Sequence, residues 1–242
     1  MFLSNELRGR NLNYRANEYS LTFDDGPTDG VTTDLARLLH REGVAATFFV
    51  LGERVNRAAL STMVKYGHRI GNHTYSHQNL AEFRGDHRAE IAHQICACHE
   101  QIAEFSSRSR IPFRAPGGAW SEPEFSTFAN DLPVSKRYIG RYGWDIDAND
   151  WRLQRRRGHT EKIGFGDFCA RFERALEAFR GGIVLLHDGF PKNESHLADP
   201  NENKALEVAK FVLTIMRGRG FRCVPLKEPP AWRRLLHLLN LD

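Results

Sequence analysis

Apolar and polar positions along this chain follow two different periods. Five stretches, 31–42, 53–66, 87–105, 165–179 and 203–217, space their apolar residues as one face of a helix does. Between them lie short apolar runs at 20–23, 46–51, 69–70, 112–114, 137–144, 183–186 and 221–224. Short strands that alternate with longer amphipathic helices are the pattern of parallel strands joined by helical crossovers. The pattern predicts an α/β fold. In barrels of this kind the active site lies at the carboxyl ends of the strands.

Several of the strand-like runs end in reactive side chains. The run Leu21-Thr-Phe-Asp-Asp-Gly-Pro27 ends an apolar segment in two adjacent carboxylates, Asp24 and Asp25, before a sharp turn. Neighbouring side chains on an extended segment point to opposite sides. One carboxylate can therefore bind a cation while the other stays free as a base. By itself the run is also ordinary turn chemistry. The next segment, Gly71-Asn-His-Thr-Tyr-Ser-His77, puts two imidazoles four residues apart. Two histidines and one carboxylate suit a single zinc-like ion and leave a coordination position open. Without Asp25, the same pair reads as two hydrogen-bonded surface histidines.

Three further segments repeat the sequence of strand, polar residues and loop: 112–118, 142–151 and 183–189. Five such segments in this order resemble the polysaccharide deacetylases, the NodB-homology domains of carbohydrate esterase family 4. The resemblance runs from about residue 19 to residue 226. It implies a distorted (β/α) barrel with seven parallel strands and a divalent metal, expected to be zinc. In the matching positions Asp24 is the general base, while Asp25, His73 and His77 hold the metal. Arg114 pairs with the base and keeps it ionised. His187 is the general acid that protonates the leaving amine, and Asp150 supports it. The Gly117 N–H helps bind the oxyanion; many relatives carry an aromatic residue there, so Trp120 or Trp144 is a candidate replacement wall. Trp151 and Leu185 match residues that shape the pocket around the acetyl methyl, and each reads equally well as plain core.

Composition narrows the picture further. A chain of 242 residues with 41% hydrophobic content can enclose one sizeable core, and no tract reads as a linker or repeat. A single domain over 1–242 is expected, with a motif-bearing core at 19–226 and an amphipathic tail at 229–242. A net charge of +4 with scattered arginines falls short of a nucleic-acid footprint. No apolar stretch approaches the ~20 residues that span a bilayer. The first residues lack a signal-peptide pattern, and the four cysteines show no disulfide framework. Cytoplasmic localisation is the expectation.

Three segments carry alternative readings. In 93–99 two thiols and two imidazoles invite a second metal site, but Cys96 and Cys98 diverge on a helix, and a packing face of Ile91, Ile95, Cys98 and Ile102 is preferred. Arg152, Arg155, Arg156 and Arg157 read as a solvated loop or as a rim that holds a phosphate-bearing substrate. The tail, with Trp232, Leu235, Leu236, Leu238 and Leu239, reads as packing onto its own domain, with a membrane surface as the less favoured option. The expected substrate is an N-acetylated amino sugar, with a chitooligosaccharide the leading choice. The alternatives are a metal-dependent amidohydrolase on a non-sugar amide or imide, and a catalytically idle carbohydrate-binding protein.

Overall fold

A computed structural model describes residues 6–9, 12–82, 88–106, 110–119, 132–153, 163–189 and 203–230. Its centre is β1 (Glu18–Asp24), which pairs along its whole length with β7 (Gly181–His187). On its other edge β1 meets β2 (Thr47–Val50), with β8 (Arg222–Cys223) beside its first residues. Beyond β2 lies β3 (Arg69–Asn72), and beyond β7 lies β6 (Ile146–Asp147). A separate pair, β4 (Ile111–Pro112) and β5 (Tyr138–Ile139), joins β3 through the bridge between Asn72 and Phe113. Every pairing among the described residues is parallel. The run β5-β4-β3-β2-β1-β7-β6 makes a seven-stranded distorted barrel, in which β6 takes the place of the run at 221–224 that was expected as the seventh strand and that lies outside as β8.

Helices α1 (Val31–Arg41), α2 (Arg57–Lys65), α3 (Arg88–Ile102), α4 (Phe165–Ala178) and α5 (Ala205–Gly218) supply the outer layer. Alternation along the strands divides the core in two. Tyr19, Leu21 and Phe23 of β1 join Phe48, Val184, Leu186 and the helices on the outer side. Ser20, Thr22 and Asp24 alternate with them and lie level with Ile183, Leu185 and His187 of β7. The inner side holds a smaller cluster that includes Leu7, Phe49, Ile139, Tyr142 and Ile183. Residue 24 is thus the last position of a strand whose polar face looks inward.

Two elements differ from the pattern read in the sequence. The run at 137–144 does not continue as one strand: Gly140 takes φ +85°, where an added Cβ would lie 2.8 Å from the Tyr142 ring, and beyond it the chain makes a single bridge, at Tyr142, before β6. The helix expected from residue 53 begins as a 3-10 turn at Gly52–Arg54, and α2 starts after Asn56. The Asn56 carboxamide accepts from the Ala58 and Ala59 N–H groups and so sets that start. The α3 face comes out as read, with Ile91, Ile95, Cys98 and Ile102 buried, but Gln94 is buried among them.

Close approach at β3 gives a stability prediction. A Cβ at Gly71 would sit 2.5 Å from Phe49 Cδ1 and 3.0 Å from the Pro112 carbonyl oxygen, and the Phe49 ring is fully buried. Gly71→Ala should cost about 1–3 kcal/mol of overpacking, read from the midpoint of urea unfolding. An unchanged midpoint would show that the ring yields freely.

Candidate active site

The carboxyl ends of β1, β3 and β7 and the turns that follow β4 and β6 meet at one rim. Asp24 and His187 are register partners across the β1–β7 ladder, so a carboxylate and an imidazole end adjacent strands side by side. Asp25 then leaves the strand in the left-handed region, at φ +73°. That turn sends the two carboxylates to different partners.

Asp25 faces the histidines. Its Oδ1 lies 3.4 Å from His73 Nε2 and 3.2 Å from His77 Nε2, and the three ligand atoms are all within 4.8 Å of one another. Burial opposes ionisation of Asp25, yet the adjacent His73 and His77 imidazoles outweigh it and hold its carboxyl below the ordinary range. Burial pulls His77 down to about 4, against the attraction of Asp25, which keeps the ring neutral. A metal requires an ionised carboxylate and neutral imidazoles; Asp25 and His77 stand so, while the Asp24 and Asp25 charges raise His73 against its burial, and an ion would displace that proton. Asp25 Oδ1 is buried and accepts no hydrogen bond within the protein. An orphaned acceptor between two imidazoles fits a divalent cation, and this is the only such cluster among the described residues.

Backbone and side-chain bonds aim these ligands. His73 Nδ1 is 2.9 Å from the Arg114 carbonyl oxygen, which leaves Nε2 facing the site. His77, at φ +60°, donates its N–H to Thr74 Oγ1. The loop between them hangs on Gln94, whose Oε1 accepts from Tyr75 N and Ser76 N at 3.1 and 3.0 Å. That role explains a carboxamide inside an apolar helix face. Its polar side chain at a core-spaced position is the one sequence signal of its burial, and that signal does not name its partners.

Asp24 is held by Arg114 instead. Arg114 Nη1 donates to Asp24 Oδ1 at 2.7 Å and to Thr22 Oγ1 at 2.9 Å. Its Nε and Nη2 donate to the Tyr142 and Gly143 carbonyls, and the guanidinium carbon lies 4.2 Å from the centre of the Phe49 ring. The side chain is wholly buried, so the ion pair is fixed in a cage of acceptors. On the other side of Asp24, His187 Nδ1 is 2.8 Å from Asp150 Oδ1, and Asp150 Oδ2 accepts the His187 backbone N–H. Burial pulls the imidazole down, but the Asp150 charge and hydrogen bond outweigh it and raise His187 to about 10.

Of the remaining expected residues, Gly117, Trp144, Trp151 and Leu185 fall among the described ones. Gly117 takes φ +59° in a turn whose bonds run from Gly118 N to Ala115 O and from Ala119 N to Pro116 O, so the turn does not use the Gly117 N–H. The Trp144 ring lies 3.1 Å from where a Gly118 Cβ would stand, beside that turn. Leu185 sits on the inner face of β7, level with Thr22. Trp151 is half-buried in the 3-10 turn that carries Asp150. Trp120, Arg155, Arg156, Arg157 and the tail from residue 231 lie outside the described residues; Arg152 stands 6.0 Å from the Trp151 ring centre.

Asp188 was not singled out from the sequence. It is buried behind the Asp24–Asp25 turn, its Oδ2 accepts from Thr32 Oγ1, and its N–H donates to the Asp24 carbonyl. A Cβ at Gly26 would fall 2.2 Å from that Oδ2, which accounts for the glycine. Burial raises the Asp188 carboxyl to about 7.

The sequence signature of polysaccharide deacetylases matches residues 12–133. The chain belongs to that family. A chitooligosaccharide deacetylase of Azorhizobium caulinodans is 31% identical over 212 residues, spanning 85% of this chain and 91% of the relative. A peptidoglycan-N-acetylglucosamine deacetylase of Listeria monocytogenes is 29% identical over 171 residues, spanning 70% of this chain but 32% of the relative. Among solved structures, a family 4 carbohydrate esterase from Streptomyces lividans, in complex with acetate, superposes with a TM-score of 0.62 at 23% identity and covers 89% of this chain and 95% of that one. The structural likeness supports the family's barrel.

Proposed function

We propose that this chain is a metal-dependent hydrolase that removes the acetyl group from N-acetylglucosamine units of an oligosaccharide or glycoconjugate, with chitooligosaccharides the leading substrate. The observation that carries the reading is the division of the adjacent carboxylates, Asp25 to the two histidines and Asp24 to Arg114. Asp25, His73 and His77 would hold the metal, and two imidazoles with one carboxylate favour zinc. When bound, such an ion polarises a carbonyl and acidifies water.

The chain's own groups supply the proton transfers. Asp24, held and oriented by Arg114, accepts the proton of the attacking water. The Gly117 N–H donates to the acetamide oxygen as negative charge develops there. His187 protonates the departing amine, which otherwise leaves poorly, and Asp150 keeps that imidazole charged and oriented. Leu185 and Trp151 border the space for the acetyl methyl. The four free thiols support a reducing, cytoplasmic setting as part of the proposal.

Acetate release across N-acetylglucosamine monomer to hexamer, UDP-linked and lipid-linked forms and an N-acetylglucosaminyl antibiotic precursor tests the substrate class. Turnover of the oligomers above the rest supports the reading. Metal-loaded protein that releases no acetate from any of them would move the reading to a non-sugar amide or to a binding role.

The acid has its own test. Because Asp150 raises the His187 pKa, Asp150→Asn should lower it and bring the alkaline limb of the kcat/KM profile to lower pH. An unmoved limb would show that another group donates the proton.

A further inference from the structure

The barrel has a seam between β5 and β6, and residues 6–9 occupy it. Leu7 forms a parallel bridge with Tyr142: its N–H donates to Arg141 O at 2.8 Å, and its carbonyl accepts from Gly143 N at 2.9 Å. Two residues on, Gly9 N donates to Asp145 Oδ2, the same oxygen that accepts from Ile183 N of β7. A Cβ at Gly9 would fall 2.8 Å from Gly182 Cα, so the segment abuts β7 directly. Leu7 is 1% exposed and packs inside the barrel with Ile139, Tyr142 and Ile183. This segment precedes residues 12–133, the part matched by the family signature.

We propose that residues 6–9 form a seam strand that positions Arg114, and through it Asp24, so that turnover depends on this segment although it supplies none of the reacting groups. The link is a single peptide unit. Tyr142 C=O and Gly143 N–H belong to one planar trans peptide, so fixing one end fixes the other. Leu7 O holds the N–H end, and the C=O end accepts from Arg114 Nε at 3.2 Å. The next carbonyl, Gly143 O, accepts from Arg114 Nη2 at 2.9 Å. Two of the four acceptors of the Arg114 guanidinium, both backbone carbonyls, therefore lie on the stretch that Leu7 pins. Released from Leu7, that peptide can rotate, and the guanidinium loses the geometry that orients the Asp24 carboxylate.

The test uses the full-length chain with Leu7→Asp, which places a charge in the apolar interior and expels the segment, and the milder Leu7→Ala. In the folded Leu7→Asp protein, kcat should fall by about tenfold or more, with KM within about twofold and metal stoichiometry kept. The Arg114 Nε–H resonance, slow to exchange in the unaltered protein, should broaden or vanish in the same sample. A merely structural role would lower the melting temperature and leave that resonance in place. Unchanged kcat and an unchanged resonance in the folded variant would overturn the proposal. If neither variant folds, amide exchange of the unaltered protein decides. Gly143 N–H exchanging as slowly as the β1–β7 ladder supports the seam strand, and exchange at loop rates refutes it. The kinetic arm rests on the deacetylase reading, whereas the resonance and exchange arms do not, so failure of either idea can be told from failure of the other.

Discussion

Asp24→Asn is expected to keep a bound metal and lose turnover by about 10²–10⁴-fold, the contribution of a positioned general base. The substitution is nearly isosteric, and its carboxamide oxygen can still accept from Arg114 Nη1, which donates to Asp24 Oδ1 at 2.7 Å. What disappears is the charge and basicity of the other oxygen. Asp24 Oδ2 stands 3.6 Å from His73 Nε2, beyond hydrogen-bond distance, while Asp25 Oδ1 is nearer to both imidazoles. Metal binding should therefore survive. The buried Arg114 loses its ionised partner, so a lower melting temperature is also expected. Metal content by atomic absorption and acetate release from a single preparation check both halves. Full activity in this variant would remove Asp24 from the proton transfer.

His73→Ala should do the opposite to the metal and the same to the rate. Loss of a second-sphere partner alone typically costs about 10–100-fold in metal affinity, and His73 is proposed as a direct ligand, so its removal should cost more. The same ring meets the Arg114 carbonyl through Nδ1, so the variant also loosens the backbone of the residue that holds the base. After dialysis the variant should carry little metal and release no measurable acetate, and calorimetric titration should show a weakened site. Stoichiometric metal in dialysed His73→Ala would place the ion elsewhere. The contrast between the two variants carries the argument, since one separates turnover from metal and the other does not.

Much of this was legible in the residues. The alternation at 20–24 and the continuous apolar run at 183–186 made β1 and β7 readable, because β1 is apolar on its outer face and polar within, whereas β7 is apolar on both faces up to His187. Asp25, His73 and His77 could be grouped because each follows a strand end, and parallel strands bring those ends together. The split of 137–144 was hidden because Gly140 and Gly143 sit in an otherwise aromatic, strand-like run and only the left-handed φ of Gly140 breaks it. Gln94 and Asp188 were hidden for another reason. Gln94 works through backbone N–H groups of a loop distant in sequence and Asp188 through the Thr32 hydroxyl and the space left by Gly26, and no spacing rule connects residue 94 to 75 or 188 to 26. Leu7 carries no signal either, since one apolar residue between charged neighbours does not read as a strand.

The most direct test of the account is a metal titration of the metal-free protein with acetate release from the N-acetylglucosamine tetramer followed in parallel. The rate should rise in proportion to bound metal and level off at one ion per chain, with one free amine appearing for each acetate. Acetate release that is complete without metal, or a fully loaded protein that binds the tetramer and releases none, would contradict it.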